Sequence, residues 1–212
     1  MWKAVISLLV LVPLAAAQPT PPPDVGITGI VNPVTGSVIC TDASHGLDCT
    51  KVTLTSSNID LSLLQGQLVK LYGNQTGAAC PMIDVTGVQA PPSTLEWCGS
   101  PTPGCVLKFK VCPGGLSEFW LFAALEPGFL PLHPDKGTWL LGNPFFMIAQ
   151  GFGGAACHEL AVIVPPIPIL AGLDVWLQGA RRDIGPVGPI TLTNAVCLTI
   201  TGPLPGCIAP GC

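Results

Sequence analysis

Charge is scarce in this chain: Asp, Glu, Lys and Arg make up only 9% of its 212 residues, against roughly a quarter in an ordinary soluble protein. Tyrosine occurs once and histidine three times. Eight basic residues face twelve acidic ones, a formal net charge of −4. Without a basic stripe to track phosphates, nucleic acid is excluded as a partner. No Cys-x-x-Cys spacing is present, which removes the usual zinc framework. No Gly-x-Ser-x-Gly elbow is present either, which removes the commonest serine-hydrolase signature. Long apolar runs are missing too. The stretch from Ala4 to Leu14 is about half the roughly twenty residues that span a bilayer. The stretch from Leu160 to Leu177 is broken by Pro165, Pro166 and Pro168 and carries Asp174. No membrane span is expected.

Glycine (25), proline (24) and cysteine (10) are abundant. Glycine and proline at that density do not sustain long helices. At the amino terminus Lys3, the apolar stretch 4–14 and Ala15-Ala16-Ala17 form a secretory signal with an Ala-x-Ala cleavage site, so residues 1–17 read as a signal peptide. The expected compartment is extracellular or periplasmic, and an even number of cysteines there predicts structural disulfides. Loop proximity favours Cys40 with Cys49, Cys98 with Cys105, and Cys207 with Cys212. Cys105 and Cys112 bound a strand and lie about 23 Å apart at strand rise, too far for a bridge. Among Cys80, Cys112, Cys157 and Cys197 three pairings are open, with Cys157–Cys197 favoured.

Along the chain, residues 18–27 form a Pro-rich leader. Residues 28–92 hold short apolar runs at 36–40, 51–56, 67–72 and 83–88, with a helical turn near 58–64 capped by Ser57 or Asn58. Residues 93–104 read as a linker loop. Residues 105–203 hold longer strands: Leu107, Phe109 and Val111 alternate with Lys108 and Lys110, Glu118 to Leu125 is apolar on both faces, and candidates follow at 138–141, 145–150, 158–164, 173–180 and 189–200. Residues 204–212 form a disulfide-closed tail. The expected fold is all-β, a small barrel followed by an antiparallel β-sandwich.

The segment Gly66-Gln67-Leu68-Val69-Lys70-Leu71-Tyr72-Gly73 resembles OB-like small barrels, in which a glycine bends a long strand. Gly172-Leu173-Asp174-Val175-Trp176-Leu177-Gln178 and Leu192-Thr193-Asn194-Ala195 resemble carboxy-terminal sandwich domains of uncharacterised secreted bacterial proteins. The barrel resemblance covers about a third of the chain, and the pair implies a fold and export but no activity.

Candidate chemistry is thin. Asp42, His45 and Asp48 could hold a cation, but Asp, Ser and Gly are also the residues that turns require, and the turn reading outweighs it. Ser44-His45-Asp48 is a poor triad, because triads assemble from distant segments. Cys157-His158-Glu159 reads as a strand end, Arg181-Arg182-Asp183 as a solvated loop, and Asn74-Gln75-Thr76 as a glycosylation sequon in a turn. Of Trp97, Trp120, Trp139 and Trp176, Trp120 reads as core. Trp176 shares a strand face with Asp174 and Gln178 and is the candidate sugar platform. No cofactor is implied. The ranking runs from a structural or interaction protein of the cell envelope or matrix, self-associating through apolar surface, to an extracellular polysaccharide-binding module, and last to a secreted hydrolase.

Overall fold

The computed structural model describes residues 22–34, 43–76, 80–112, 116–154, 157–184, 188–202 and 207. The first half of these comprises β1 (Val25–Pro33), β2 (His45–Leu47), β3 (Thr53–Thr55), β4 (Leu68–Gln75) and β5 (Met82–Gln89). The second comprises β6 (Thr94–Gly99), β7 (Val106–Cys112), β8 (Ser117–Ala124), β9 (Pro127–His133), β10 (Gly137–Leu141), β11 (Phe145–Gly153), β12 (His158–Ile163), β13 (Asp174–Asp183) and β14 (Ile190–Thr199). The fold is all-β.

Strands β1 to β5 close into a barrel in the order β1-β2-β3-β5-β4. The β3–β5 pair is parallel, so the chain must cross over between them. It does so through a single 3-10 turn, Leu61–Leu64, and then β4. The turn is capped by Asp60, whose Oδ1 accepts from the Ser62 N–H at 3.0 Å. Ser57 and Asn58, the expected caps, lie too early: the preceding bend is tied by Ser56, whose Oγ accepts from the Ile59 N–H at 3.0 Å. At Gly73 the β4–β5 register shifts, and a Cβ there would lie 2.2 Å from the Asp84 carbonyl oxygen. Only glycine lets the two strands approach that closely. Val25, Ile27, Val31, Leu54, Leu71 and Ile83 fill the barrel, each at most 2% exposed.

The remaining strands build a sandwich-like pair of sheets with the orders β12-β7-β6 and β11-β8-β13-β14. Alternation is clean in β7: Leu107, Phe109 and Val111 are buried while Val106, Lys108 and Lys110 face solvent. The buried three and Leu95 meet Leu121, Leu177 and Leu198 of the facing sheet in one core. Asn194 of β14 clamps the sheets together, accepting from the Leu95 N–H at 2.8 Å and donating to the Leu95 carbonyl at 3.0 Å.

The hairpin β9–β10 joins barrel to sandwich. Leu140 enters the barrel core, and Thr138 Oγ1 donates to the Gly26 carbonyl at 2.8 Å. A Cβ on Gly26 would lie 1.9 Å from the Pro134 oxygen, so the hairpin tip rests directly on the β1 backbone.

Three disulfides join described residues: Cys49–Cys197, Cys105–Cys207 and Cys112–Cys157. Cys80 and Cys98 are also disulfide-bonded. The favoured local pairings are therefore corrected. Cys49 does not pair with Cys40, Cys105 does not pair with Cys98, Cys207 does not pair with Cys212, and Cys157 and Cys197 do not pair with each other. Sheet packing, not loop length, brings the thiols together. Cys49 lies against the barrel core and meets β14 across 148 residues of sequence.

Other expectations shift as well. Half of the expected linker 93–104 is β6, and β1 begins inside the expected leader. Arg181, Arg182 and Asp183 lie in β13 rather than in a loop, and Asn74 lies in β4 opposite Asp84. The expected strand at 36–40, Cys40, Asp42 and Cys212 fall outside the described residues.

Candidate functional site

The loop around His45 contains a strand. His45 opens β2 and is 8% exposed. Its Nε2 lies 3.2 Å from the Gln65 amide nitrogen and its Nδ1 lies 2.9 Å from Ser44 Oγ. Both ring nitrogens are therefore engaged by neighbours within the fold. Asp48 is exposed at the tip of the turn that follows. No cluster of three His, Cys, Asp or Glu side chains suited to a metal occurs among the described residues.

The expected sugar platform on β13 comes apart in the same way. Asp174 is exposed and accepts from Thr199 Oγ1 at 2.6 Å, and Trp176 is half-buried. Gln178 is fully buried. Its Oε1 accepts from the Leu140 N–H, and its Nε2 donates to the Thr138 and Thr193 carbonyls, all at 2.9 Å. An amide spent on three backbone groups cannot recognise a ligand. The parity that puts Gln178 beside Trp176 is right, but the hairpin β9–β10 covers that part of the sheet.

The other histidines are also committed. His158 is 6% exposed, stacks on Phe119 at 4.5 Å between ring centres and lies 3.3 Å from Ser117 Oγ. His133 sits at the hairpin tip beside Asp135. Against that tip Lys70 is 3% exposed, donates to the Asp135 carbonyl at 2.8 Å and lies 5.0 Å from the centre of the Tyr72 ring. Burial holds the Lys70 ammonium below its usual range and pushes the Tyr72 phenol up. On the exposed Asp60 the Ser62 hydroxyl, then the Ser62 N–H, hold the carboxyl below the usual range.

Two surface features have the form of working surfaces. The first is apolar. Phe122, Trp139 and Phe145 meet edge to face with ring centres 4.8–6.1 Å apart, beside a cleft of about 420 Å³ lined by Phe129, Leu130, Leu132, Trp139, Leu141 and Phe145 among others. Next to it, the edge strand β11 exposes Phe145, Phe146, Met147 and Ile148 in succession. Alternation normally hides every second residue of a strand. Here a register shift after Met147, together with the lack of a further strand beside β11 among the described residues, leaves both faces open.

The second feature centres on Trp120, which is half-buried rather than core. Phe119 and Leu121 take the inward positions of β8, so Trp120 faces outward with Glu118. Arg182 forms an ion pair with Glu118 and holds its guanidinium 5.7 Å from the Trp120 ring centre. The apolarity of β8 on both faces had masked this side; the Glu118 and Arg182 charges were the signal available in the sequence.

No protein-family model, curated protein or solved structure matches the chain. No helix among the described residues is long and apolar enough to cross a membrane.

Proposed function

We propose that this is an exported, disulfide-stabilised structural or interaction protein that self-associates through the apolar face on β11 and the β9–β10 hairpin. One observation carries the reading: Phe145, Phe146, Met147 and Ile148 are 43%, 55%, 54% and 38% exposed, and neighbouring Leu130 and Leu132 are 57% and 50% exposed. At roughly 100 Å² for each half-exposed large side chain, these six, which wrap around the β11 edge, amount to roughly 600 Å², near the upper end of what monomeric proteins leave open. Two such faces together approach the lower limit of a specific interface. Neither β11 nor Gly128–Leu132 carries a charged residue, so a chain whose net charge is negative meets no self-repulsion there.

The disulfides support an oxidising compartment, and the amino-terminal sequence supports export. The barrel order β1-β2-β3-β5-β4, with its parallel closure and a turn between β3 and β4, supports an OB-like reading of the first half.

Sedimentation velocity on residues 18–212, oxidised and run over a concentration series, tests the proposal. Dimers or larger species are expected, with dissociation on Phe146→Lys plus Met147→Lys. A wild-type protein that stays monomeric to about 100 μM would overturn it.

A further inference from the structure

The outer face of the four-stranded sheet is only half covered by the hairpin, and its open half has a different chemistry from the apolar face. Cross-strand register aligns Gln150, Trp120 and Ala180 in one row and Phe152, Glu118 and Arg182 in the next. Between them lies a shallow trough of about 300 Å³ lined by Glu118, Trp120, Gln150, Gly151 and Phe152, with Arg182 at its border through its ion pair with Glu118. Phe152 is 64% exposed. The Gln150 amide is exposed and has no protein partner among the described residues. The side chains of Glu118 and Arg182 stay 36% and 50% exposed even though they pair with each other.

We infer that this trough binds a neutral polysaccharide. A sugar ring has an apolar C–H face and a rim of hydroxyls, each of which both donates and accepts. The trough offers the complement: aromatic surface from Trp120 and Phe152, a carboxylate that only accepts, a guanidinium that only donates, and an amide that does both. Glu118 and Arg182 cancel in charge, so neither an anion nor a cation is favoured. A purely apolar ligand would strip water from the ion pair without replacing its hydrogen bonds, which is unfavourable. The trough is open along the sheet rather than enclosed, so it fits a stretch of a continuing chain better than a small free sugar. The ion pair also fixes the two polar groups before the ligand arrives, which limits the ordering cost of binding.

The test uses the oxidised chain, residues 18–212, titrated with soluble neutral glycans (β-glucan, xylan, mannan and starch fragments) and with alginate as an anionic control, read by affinity electrophoresis and indole fluorescence. Saturable binding to at least one neutral glycan is expected, weakened at least about tenfold by Trp120→Ala and severalfold by Gln150→Ala, and unchanged by Trp176→Ala. Gln150 is exposed and unpartnered, so that variant separates loss of the site from loss of the fold. The inference fails if no neutral glycan binds up to about 10 mM sugar units, if Trp120→Ala and Gln150→Ala both bind like wild type, or if alginate binds in preference. The Phe146→Lys plus Met147→Lys variant leaves these residues in place, so glycan binding is expected to survive in it whether or not self-association does.

Discussion

Replacing Cys49 and Cys197 together by alanine removes the link between the barrel and the last strand of the sandwich. The two residues are 148 apart in sequence. In the unfolded chain, however, the Cys105–Cys207 bridge offers a shorter path, and the loop that Cys49–Cys197 closes is about 66 residues. The loop-entropy relation then gives about 15 cal/mol/K, or about 4 kcal/mol at 25 °C, compared with about 5 kcal/mol if the full separation counted. That is a large share of the 5–15 kcal/mol typical of a folded domain. Urea unfolding of the oxidised protein, followed by tryptophan fluorescence, is the assay. With a slope of about 2–3 kcal/mol/M, the midpoint is expected to fall by about 1.5–2 M. A fall below about 0.5 M, near 1 kcal/mol, would refute the reasoning: barrel and sandwich would then be held almost entirely by packing, or the unfolded chain would already be restrained without this bridge.

Gln178→Leu keeps the volume but strands the buried Leu140 N–H and removes a donor from two carbonyls; a loss of about 3 kcal/mol is expected from denaturation midpoints, and less than about 1 kcal/mol would mean the amide is dispensable. Lys70→Met removes an ammonium that burial disfavours. Because the folded-state pKa of Lys70 lies below its usual 10.5, the unfolded chain holds the extra proton as pH approaches 10.5. Wild-type stability measured relative to Lys70→Met should therefore rise over that interval and be flat at lower pH; a fall with rising pH would reverse the assignment. Treatment with EDTA should leave the thermal midpoint unchanged within about 1 °C, since both ring nitrogens of His45 are engaged within the fold; a larger drop would restore the cation reading of Asp42, His45 and Asp48.

The all-β class was legible because alternation survives wherever a strand has one wet face, as in β7. It failed where strands are short or interrupted. β2 is three residues of a turn-rich loop, β6 was hidden beside a Pro-Gly loop, and β9 carries Pro127 and Pro131, which demote a strand pattern. Missing β9 had a further consequence. With no hairpin over the sheet, β13 looked open at Trp176 and Gln178, while the face that is open lies one strand away at Trp120. The disulfides were illegible for a different reason: Cα proximity is set by which strands stack, and no local spacing reports that. The β11 run was placed as a strand, but its exposure depends on having no further strand beside it, which is a property of sheet order rather than of the segment.

Strand β14 contributes Ala195 to the barrel core, Leu198 to the sandwich core, the Asn194 clamp on β6 and Cys197 to the bridge with Cys49. A chain is synthesised from its amino terminus, so all four contacts wait until residues 190–199 have emerged. A product terminated before them would carry an unlatched barrel, an open sandwich and the unpaired thiols of Cys49 and Cys105 at once, and would be readily told apart from the finished protein by proteases.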